Sequence, residues 1–95
     1  MSRRQRIDVW LFRARFTKTR AAAARLIMEG GVRLVHKGVP RRLEKPSVEV
    51  EAGDALMLPQ EGRLVVVRIE ALAARRGSAV EARALYSELD AESLA

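Results

Sequence analysis

The stretch "RIDVWLFRARFTKTRAAAARLIMEGGVRL", Arg6–Leu34, contains two helix patterns separated by a short break and followed by a change of period. Ile7, Trp10, Leu11 and Ala14 recur at i, i+3, i+4 and i+7, which places them on one face of an amphipathic helix. The spacing predicts a first helix that packs this face into a core, with the Trp10 ring inside it.

A second helix is predicted over residues 20–29, where Leu26 and Ile27 share a face with Ala23 and the alanine run has high helix propensity. Thr19 stands immediately before it and is a suitable N-cap. The pair Gly30–Gly31 ends the helix, because glycine readily takes the left-handed conformation that follows a helix C-terminus.

After the glycines the period changes from helix to strand. Val32–Val35 alternates like a strand, Gly38 supplies a turn, and "VPRRLEK" returns as the second arm of a hairpin. Ser78, with Glu81 three residues later, forms a capping box that predicts a closing helix within "SAVEARALYSEL". Further strands are predicted at Val48–Val50 and Ala55–Leu58, joined by a turn at Gly53–Asp54, and at Arg63–Ala73. The expected fold is α+β: two N-terminal helices on a small, mostly antiparallel sheet, and a C-terminal helix.

Positive charge is concentrated in the first half of the chain. The formal net charge is +6, yet residues 1–42 hold 12 Lys/Arg against two acids, a net of +10, and residues 43–95 hold six against ten, a net of −4. Segregated positive charge favours a polyanionic partner such as nucleic acid. The 95 residues include no Cys and no apolar run long enough to cross a bilayer. The basic start "MSRRQRIDVWLF" has neither a long apolar core nor a small-residue cleavage site, so we expect no signal peptide. We therefore expect one small cytoplasmic domain.

The start of the second helix has cations where acids are preferred. Lys18 and Arg20 flank Thr19, and the first turn contains no Asp or Glu. Because a helix N-terminus presents free N–H groups, two neighbouring cations would suit an external phosphate. The alternative is that both side chains only extend into water.

The other cations fall into two groups, one on the helix pair and one on the hairpin, which could hold a nucleic-acid backbone at two places. The first comprises Arg3, Arg4, Arg6, Arg13 and Arg15, and the second Lys37, Arg41 and Arg42. For each of these side chains a simply solvated role remains an alternative.

No set of residues indicates catalysis, a cofactor or a metal. The sequence has no nucleophile with a nearby base, no phosphate-binding loop and no metal-ligand spacing. His36, the only histidine, is interpreted as a turn residue, and Glu44, Glu49 and Glu51 as a solvated strand face. With four aromatic residues, a base-stacking platform is poorly supported.

Several features together resemble the S4 domain, an RNA-binding domain first described in ribosomal small-subunit protein four. They are Arg6-Ile7-Asp8, Trp10-Leu11, Phe16, Thr19-Arg20, Leu26-Ile27, the glycine stop with Val32, Pro46-Ser47 and Gly53-Asp54. The ending "RRGSAVEARALYSEL" (Arg75–Leu89) narrows the resemblance to the bacterial heat shock protein 15 family, over about residues 6–89.

This resemblance implies an S4-like domain over residues 6–70, with residues 71–95 packed on it as a strand end and a helix. It also implies a non-enzymatic protein that binds ribosomal RNA of the large subunit, in rescue of stalled subunits carrying nascent-chain transfer RNA. By resemblance, Lys18, Thr19 and Arg20 lie in the contact region at the helix start, with Arg6 and Arg15 beside it. The free protein is expected to be a monomer.

Two departures from the family pattern affect these expectations. The stretch between Val32 and Pro46 is longer than usual and lacks an Asn-Gly turn, which leaves the RNA contacts of the hairpin open. Some family members continue into a long basic tail, whereas this sequence ends in "SELDAESLA", so contacts from such a tail are expected to be missing.

Two alternative functions remain. Helix, break and helix with basic flanks also suit a helix-turn-helix protein that binds DNA. S4-like domains also accompany RNA-modifying enzymes, although 95 residues leave no space for that catalytic domain. A membrane-surface module is disfavoured, because the core uses the apolar stripes.

Overall fold

The computed structural model of the protein describes residues 3–90. Three helices and a mostly antiparallel sheet confirm the predicted α+β class. None of the helices in the described range has the length and apolar character needed to cross a membrane. In chain order the elements are β1 (Gln5–Arg6), α1 (Ile7–Arg13), α2 (Arg20–Met28), β2 (Arg33–His36), β3 (Val39–Arg42), β4 (Glu49–Val50), β5 (Ala55–Gln60), β6 (Arg63–Ile69), α3 (Ala79–Arg83) and β7 (Tyr86–Leu89).

Helix α1 buries the predicted face. Ile7, Trp10, Leu11 and Ala14 are all buried in one hydrophobic cluster with side chains of α2 and the sheet. The Trp10 indole N–H donates to the Ala71 carbonyl at 3.0 Å, so its polar atom is satisfied inside the core. The predicted core role of Trp10 is therefore confirmed.

Helix α2 begins and ends through local signals that the sequence shows. The Thr19 hydroxyl accepts a hydrogen bond from the Ala22 N–H at 3.0 Å, which is the predicted N-cap. Gly30 has φ +80°, and its N–H donates to the Ile27 carbonyl at 2.9 Å. The helix thus stops at the expected glycine, and Ile27 and Ala23 face the core.

The five-stranded sheet has the order β3-β2-β5-β6-β7, and every neighbouring pair is antiparallel. The predicted β2–β3 hairpin is present, with Lys37 (φ +50°) and Gly38 (φ +78°) in its turn. Leu34, Leu56 and Val67 are cross-strand neighbours on one face, and they join the core cluster with α1 and α2. The two N-terminal helices therefore cover one face of the sheet.

A second, two-stranded ribbon pairs β1 with β4, with Gln5 opposite Val50 and Arg6 opposite Glu49. The Ile7 N–H extends the contact by donating to the Val48 carbonyl at 2.8 Å. The Gly53–Asp54 turn lies between β4 and β5 as predicted, but these two strands join different sheets. The ribbon brings the residues before α1 next to the start of the second half of the chain.

The prediction for the C-terminal part was wrong in extent. The Ser78 hydroxyl accepts from the Glu81 N–H at 3.2 Å as expected, but α3 ends at Arg83 and β7 follows. Within this short helix Ala82 is buried, whereas Val80 is 76% exposed. As a strand, the segment pairs with β6 and brings Tyr86 against the Phe16 ring, with centroids 4.7 Å apart. The last five residues of the predicted 71–95 segment lie outside the described range.

Strand β6 also ends earlier than predicted, at Ile69, and residues 70–77 form a crossing segment that lies against α1. Three side chains of the N-terminal part donate hydrogen bonds to backbone carbonyls of the crossing segment. In the opposite direction, one side chain of the crossing segment donates to a carbonyl of α1. The hydrogen bonds are Gln5 Nε2 to Ala73 O at 2.7 Å, Arg13 Nη1 to Ala73 O at 2.7 Å, Arg15 Nε to Gly77 O at 2.7 Å and Arg76 Nε to Phe12 O at 3.2 Å.

Candidate nucleic-acid interface

A buried carboxylate organises the junction between β1 and α1. Asp8 is 4% exposed, and its oxygens accept from Arg6 Nε and Nη2, both at 3.0 Å. Its Oδ1 also accepts from the Val9 N–H at 2.8 Å. Arg6 precedes the helix with φ −58° and ψ 138°, so its side chain turns back over the first helical turn. Asp8 therefore holds the Arg6 guanidinium in a two-point contact.

The same carboxylate lies 3.9 Å from the Arg20 guanidinium, at the start of α2. The side chains of Arg6 and Arg20 are 48% and 56% exposed, and Lys18 is also exposed. We call Arg6, Lys18 and Arg20 the basic corner; with Asp8 its formal charge is +2. The hydrogen bond to Asp8 and the negative charge of that carboxylate raise the pKa of Arg6 above its ordinary value.

This geometry corrects one part of the sequence interpretation. The start of α2 contains no acid of its own, but α1 supplies one, because Asp8 approaches Arg20. The chain thus provides an anion for the helix start. Three cations against one carboxylate still leave a positive surface, so an external anion remains electrostatically favoured there.

Arg13 and Arg15 have intramolecular contacts that the sequence did not indicate. Each donates to a carbonyl of the crossing segment, and Arg15 has a left-handed backbone with φ +65°. A guanidinium has five N–H donors, so one internal hydrogen bond leaves others for an external ligand. Their role in RNA binding stays a prediction.

Three of the predicted hairpin and N-terminal cations meet at one cleft. Arg4, Lys37 and Arg41 line a space of about 470 Å³ between the β2–β3 hairpin and the β1–β4 ribbon. We call this space the hairpin cleft. Leu34 and Val39 provide apolar surface in it. Ligand-binding pockets commonly have this size.

Arg42 and Arg3 do not line the cleft. The Arg42 guanidinium lies over Gly30, so closely that a Cβ added to this glycine would collide with it. Arg42 is therefore at the C-terminal end of α2, away from the basic corner at its start. Arg3 lines a second depression with Glu51, Ala71 and Leu72, and this depression adjoins the cleft at Glu51. The structure thus divides the predicted set between several places.

His36 is more than a turn residue. It is the last residue of β2, and its Nδ1 lies 2.6 Å from Asp54 Oδ1 and 3.6 Å from Glu51 Oε1. The other Asp54 oxygen accepts from the Glu51 N–H at 3.0 Å. Glu51 is accordingly half-buried, in contrast to the solvated strand face predicted for it.

Within the described residues, this group is the one set of His and carboxylate ligands close enough to hold a metal ion, with ligand atoms within 4.8 Å of one another. The distance between His36 Nδ1 and Asp54 is that of a short hydrogen bond. In this structure the group therefore ties the end of β2 to the turn before β5.

Arg76 is a further cation near the interface that sequence reasoning missed. Its guanidinium lies 4.9 Å from the centroid of the Phe12 ring, and its Nη2 donates to the Thr17 carbonyl at 3.4 Å. It therefore stabilises the turn between α1 and α2. No local pattern could have indicated this contact, because the partners are about 60 residues apart along the chain.

The family model of the S4 domain matches residues 5–34 of this chain. That range includes β1, α1, α2 and the start of β2, and therefore the whole basic corner. The match coincides with the stretch from which both helices were predicted.

Similarity to individual proteins extends further along the chain. The chain is 44% identical to heat shock protein 15 of Escherichia coli (strain K12) over 83 residues, 87% of this chain and 59% of that protein. It is 40% identical to the heat shock protein 15 homolog of Haemophilus influenzae over 85 residues, 90% of this chain and 61% of the homolog. The chain thus spans about three-fifths of the length of these curated relatives.

A solved structure shares the fold over most of both chains. Vibrio cholerae heat shock protein 15, described as trimeric, superimposes with a TM-score of 0.82 at 35% identity. The match covers 97% of this chain and 87% of the Vibrio chain, so it includes the hairpin and β7 as well as the S4 region.

Proposed function

The chain belongs to the heat shock protein 15 family, and from this premise we propose that it binds structured RNA without catalysing a reaction on it. In the finer form of the proposal, the RNA belongs to the large ribosomal subunit. The protein acts there on stalled subunits that carry a nascent chain on transfer RNA. The family resemblance supports this role.

One observation carries the RNA-binding part of the proposal. Arg6 and Arg20 come from two different elements, yet both lie beside the Asp8 carboxylate while about half of each side chain stays exposed. Lys18 is exposed one residue before the Thr19 cap. The corner therefore offers two guanidinium groups and one ammonium group to a single external partner.

This arrangement suits a phosphate backbone better than a base. An Arg guanidinium binds phosphate through two parallel N–H groups, and Lys adds a point charge. Helical RNA is recognised mainly through its shape, its phosphates and its 2′-hydroxyls, because its major groove is too narrow for side chains. We therefore propose that the corner contacts the backbone of an RNA helix or of its junction.

The other predicted residues extend this surface in the proposal. Arg4, Lys37 and Arg41 contribute from the hairpin cleft, while Arg13 and Arg15 contribute the guanidinium donors that the crossing segment leaves free. The remaining members are Arg3, Thr19 and Arg42, of which Thr19 acts mainly by starting α2.

We also propose that the free protein is a monomer. Fifteen residues contributed by both helices and the sheet form one buried cluster within the single chain. Among residues 3–90 the exposed large apolar side chains are Met28, Val39, Leu64 and Val80, and they lie on four different elements. A molar mass of 10.6 kDa by light scattering would support this, and three times that mass, as in the Vibrio relative, would contradict it.

Competition binding tests the proposed function. The protein is first bound to a labelled fragment of folded large-subunit ribosomal RNA. Unlabelled RNA or duplex DNA of equal length is then added as competitor, at the same salt concentration. We expect RNA to compete at least about tenfold better. Preference for duplex DNA would favour the helix-turn-helix alternative and contradict the proposal.

A second experiment addresses the ribosomal part separately. Tagged protein is sedimented with separated small subunits, large subunits and large subunits that retain nascent-chain transfer RNA. We expect co-sedimentation with large subunits, strongest for those with transfer RNA. Equal recovery with both subunits would remove the large-subunit role while leaving RNA binding in place.

A further inference from the structure

We propose that the hairpin cleft binds an unpaired guanine of the RNA held at the basic corner, with the Glu51 carboxylate as the group that recognises the base. This inference rests on the proposed RNA-binding function and specifies which base the hairpin cleft binds. It follows from how the two walls of the cleft are built and from their connection to the corner.

One wall is the face of the β1–β4 ribbon that points away from the core. Val50 is 1% exposed and points inward, and side chains alternate along a strand, so Glu49 and Glu51 point to the other face. Arg4 lies on that face, because its Nε is 4.0 Å from Glu51 Oε2. This wall therefore presents carboxylates beside a guanidinium.

The opposite wall is the β2–β3 hairpin. Leu34 pairs across it with Arg41 and His36 with Val39, and all four side chains line the cleft. Val39 is 65% exposed, although it is a large apolar residue. The apolar surface of this wall suits the flat face of a base. The phosphates of the same RNA strand would stay outside the cleft, where Arg41 and Lys37 can contact them.

The interior of the cleft selects the base through hydrogen-bond acceptors. Glu51 is half-buried, and its carboxylate lies 3.6 Å from His36 Nδ1, 4.0 Å from Arg4 Nε and within 4.8 Å of an Asp54 oxygen. These distances are longer than a hydrogen bond, so the Glu51 oxygens retain lone pairs. Guanine presents two adjacent donors, N1–H and the 2-amino group, which match the two oxygens of one carboxylate. Adenine presents one amino group beside an acceptor, so it fits this carboxylate less well.

The cleft and the basic corner are connected. Arg4 at the cleft and Arg6 at the corner are two residues apart in extended chain, which separates them by roughly 6–7 Å. An RNA strand bound through Arg6 and Arg20 therefore passes the cleft mouth. Single-stranded loops and bulges supply the unstacked bases that proteins read on their Watson–Crick edges.

Nucleotide titration followed by NMR of the ¹⁵N-labelled full chain tests the cleft itself. The probes are GMP, IMP (which lacks the 2-amino group), AMP and inorganic phosphate. We expect GMP to shift the amide signals of residues 34–39 and 49–54, and to bind about fivefold or more tightly than IMP or AMP. Shifts that are the same for all three nucleotides and for phosphate would overturn the proposal.

Variants locate the recognition. Glu51→Gln replaces one acceptor by a donor, so the preference for GMP should disappear while the response to phosphate persists. Glu44→Gln, an exposed carboxylate outside the cleft lining, is the matched control and should keep the preference. A preference for GMP that survives in Glu51→Gln would overturn the assignment.

Two RNA stem–loops that differ in a single unpaired nucleotide, guanosine or inosine, test RNA as the source of the base. Wild-type protein should prefer guanosine about fivefold or more, and Lys18→Ala/Arg20→Ala should weaken both RNAs equally. If both RNAs bind equally well to wild-type protein, the guanine cleft is overturned and RNA binding stands. If neither RNA binds, the proposed function itself fails, whatever the GMP titration gives.

Discussion

The Arg20 guanidinium lies 3.9 Å from the carboxylate of Asp8, a residue of the preceding helix rather than of its own. Asp8 also accepts two hydrogen bonds from Arg6, so one buried anion holds two exposed cations together. Their mutual repulsion is reduced by that anion, while the net charge of the corner stays positive. The positive surface is thus supported from within the chain.

Replacing Asp8 by Asn should lower the free energy of unfolding by about 1–3 kcal/mol. The change removes a buried charge that accepts from Arg6 and from the Val9 N–H, and hydrogen bonds to charged groups are stronger than neutral ones. Urea unfolding measures the difference. Glu44→Gln, at an exposed position, should stay within about 0.5 kcal/mol of wild type. Equal stability of the two variants would contradict the organising role of Asp8.

Replacing Lys18 and Arg20 together by Ala should weaken RNA binding without unfolding the protein. Both side chains are exposed, so the variant loses attraction to phosphate rather than packing. The slope of log affinity against log salt should become shallower by about 0.7–0.9 for each phosphate that the variant no longer neutralises. Arg63→Ala/Arg83→Ala, which removes the same charge from other exposed positions, is the control and should leave the slope nearly unchanged.

Replacing Trp10 by Phe should destabilise the protein by about 1–3 kcal/mol and leave RNA affinity unchanged. The ring is fully buried and its indole N–H donates to Ala71, so the variant loses packing and leaves that carbonyl without this donor. Thermal unfolding gives the stability, and binding is measured well below the melting temperature. A large drop in RNA affinity of the folded variant would indicate base stacking instead of a core role.

Replacing Gly30 by Ala should cost about 1–2 kcal/mol from its left-handed backbone alone. Gly38→Ala isolates this part, since Gly38 has a similar φ of +78° and no atom within 4 Å of an added Cβ. At Gly30 the Cβ would also displace the Arg42 guanidinium. The cost of Gly30→Ala should therefore be smaller in an Arg42→Ala background. Identical costs in both backgrounds would show that the Arg42 side chain has no energetic weight at this position.

Elements with local signals could be predicted from the sequence. The apolar spacing from Ile7 to Ala14, the Thr19 cap and the Gly30 stop all act within a few residues, and the structure confirms each. The hairpin turn at Gly38 belongs to the same class. The end of α3 could not be predicted, because Tyr86 is drawn into a strand by pairing with β6 and by the distant Phe16 ring.

The positive charge of the candidate site could be predicted from the sequence, but the positions of its side chains could be predicted only in part. Arg6 and Asp8 are two apart, a spacing that does not bring side chains together on a helix. They meet because Arg6 is still extended, before α1 begins. The β1–β4 ribbon and the contacts of the crossing segment depend on residues more than 40 positions apart, such as Arg6 opposite Glu49. No local pattern marks them.

The crossing segment sets the order in which the molecule can be completed during synthesis. Trp10 obtains its hydrogen-bond partner from Ala71 and its edge-on aromatic neighbour from Tyr86, so α1 lacks part of its packing until those residues leave the ribosomal tunnel. Arg13 and Arg15 are made early but obtain their carbonyl partners, Ala73 and Gly77, only late. A nascent chain that ends before Ala73 would therefore carry these two cations without the carbonyl contacts that hold them in the folded protein.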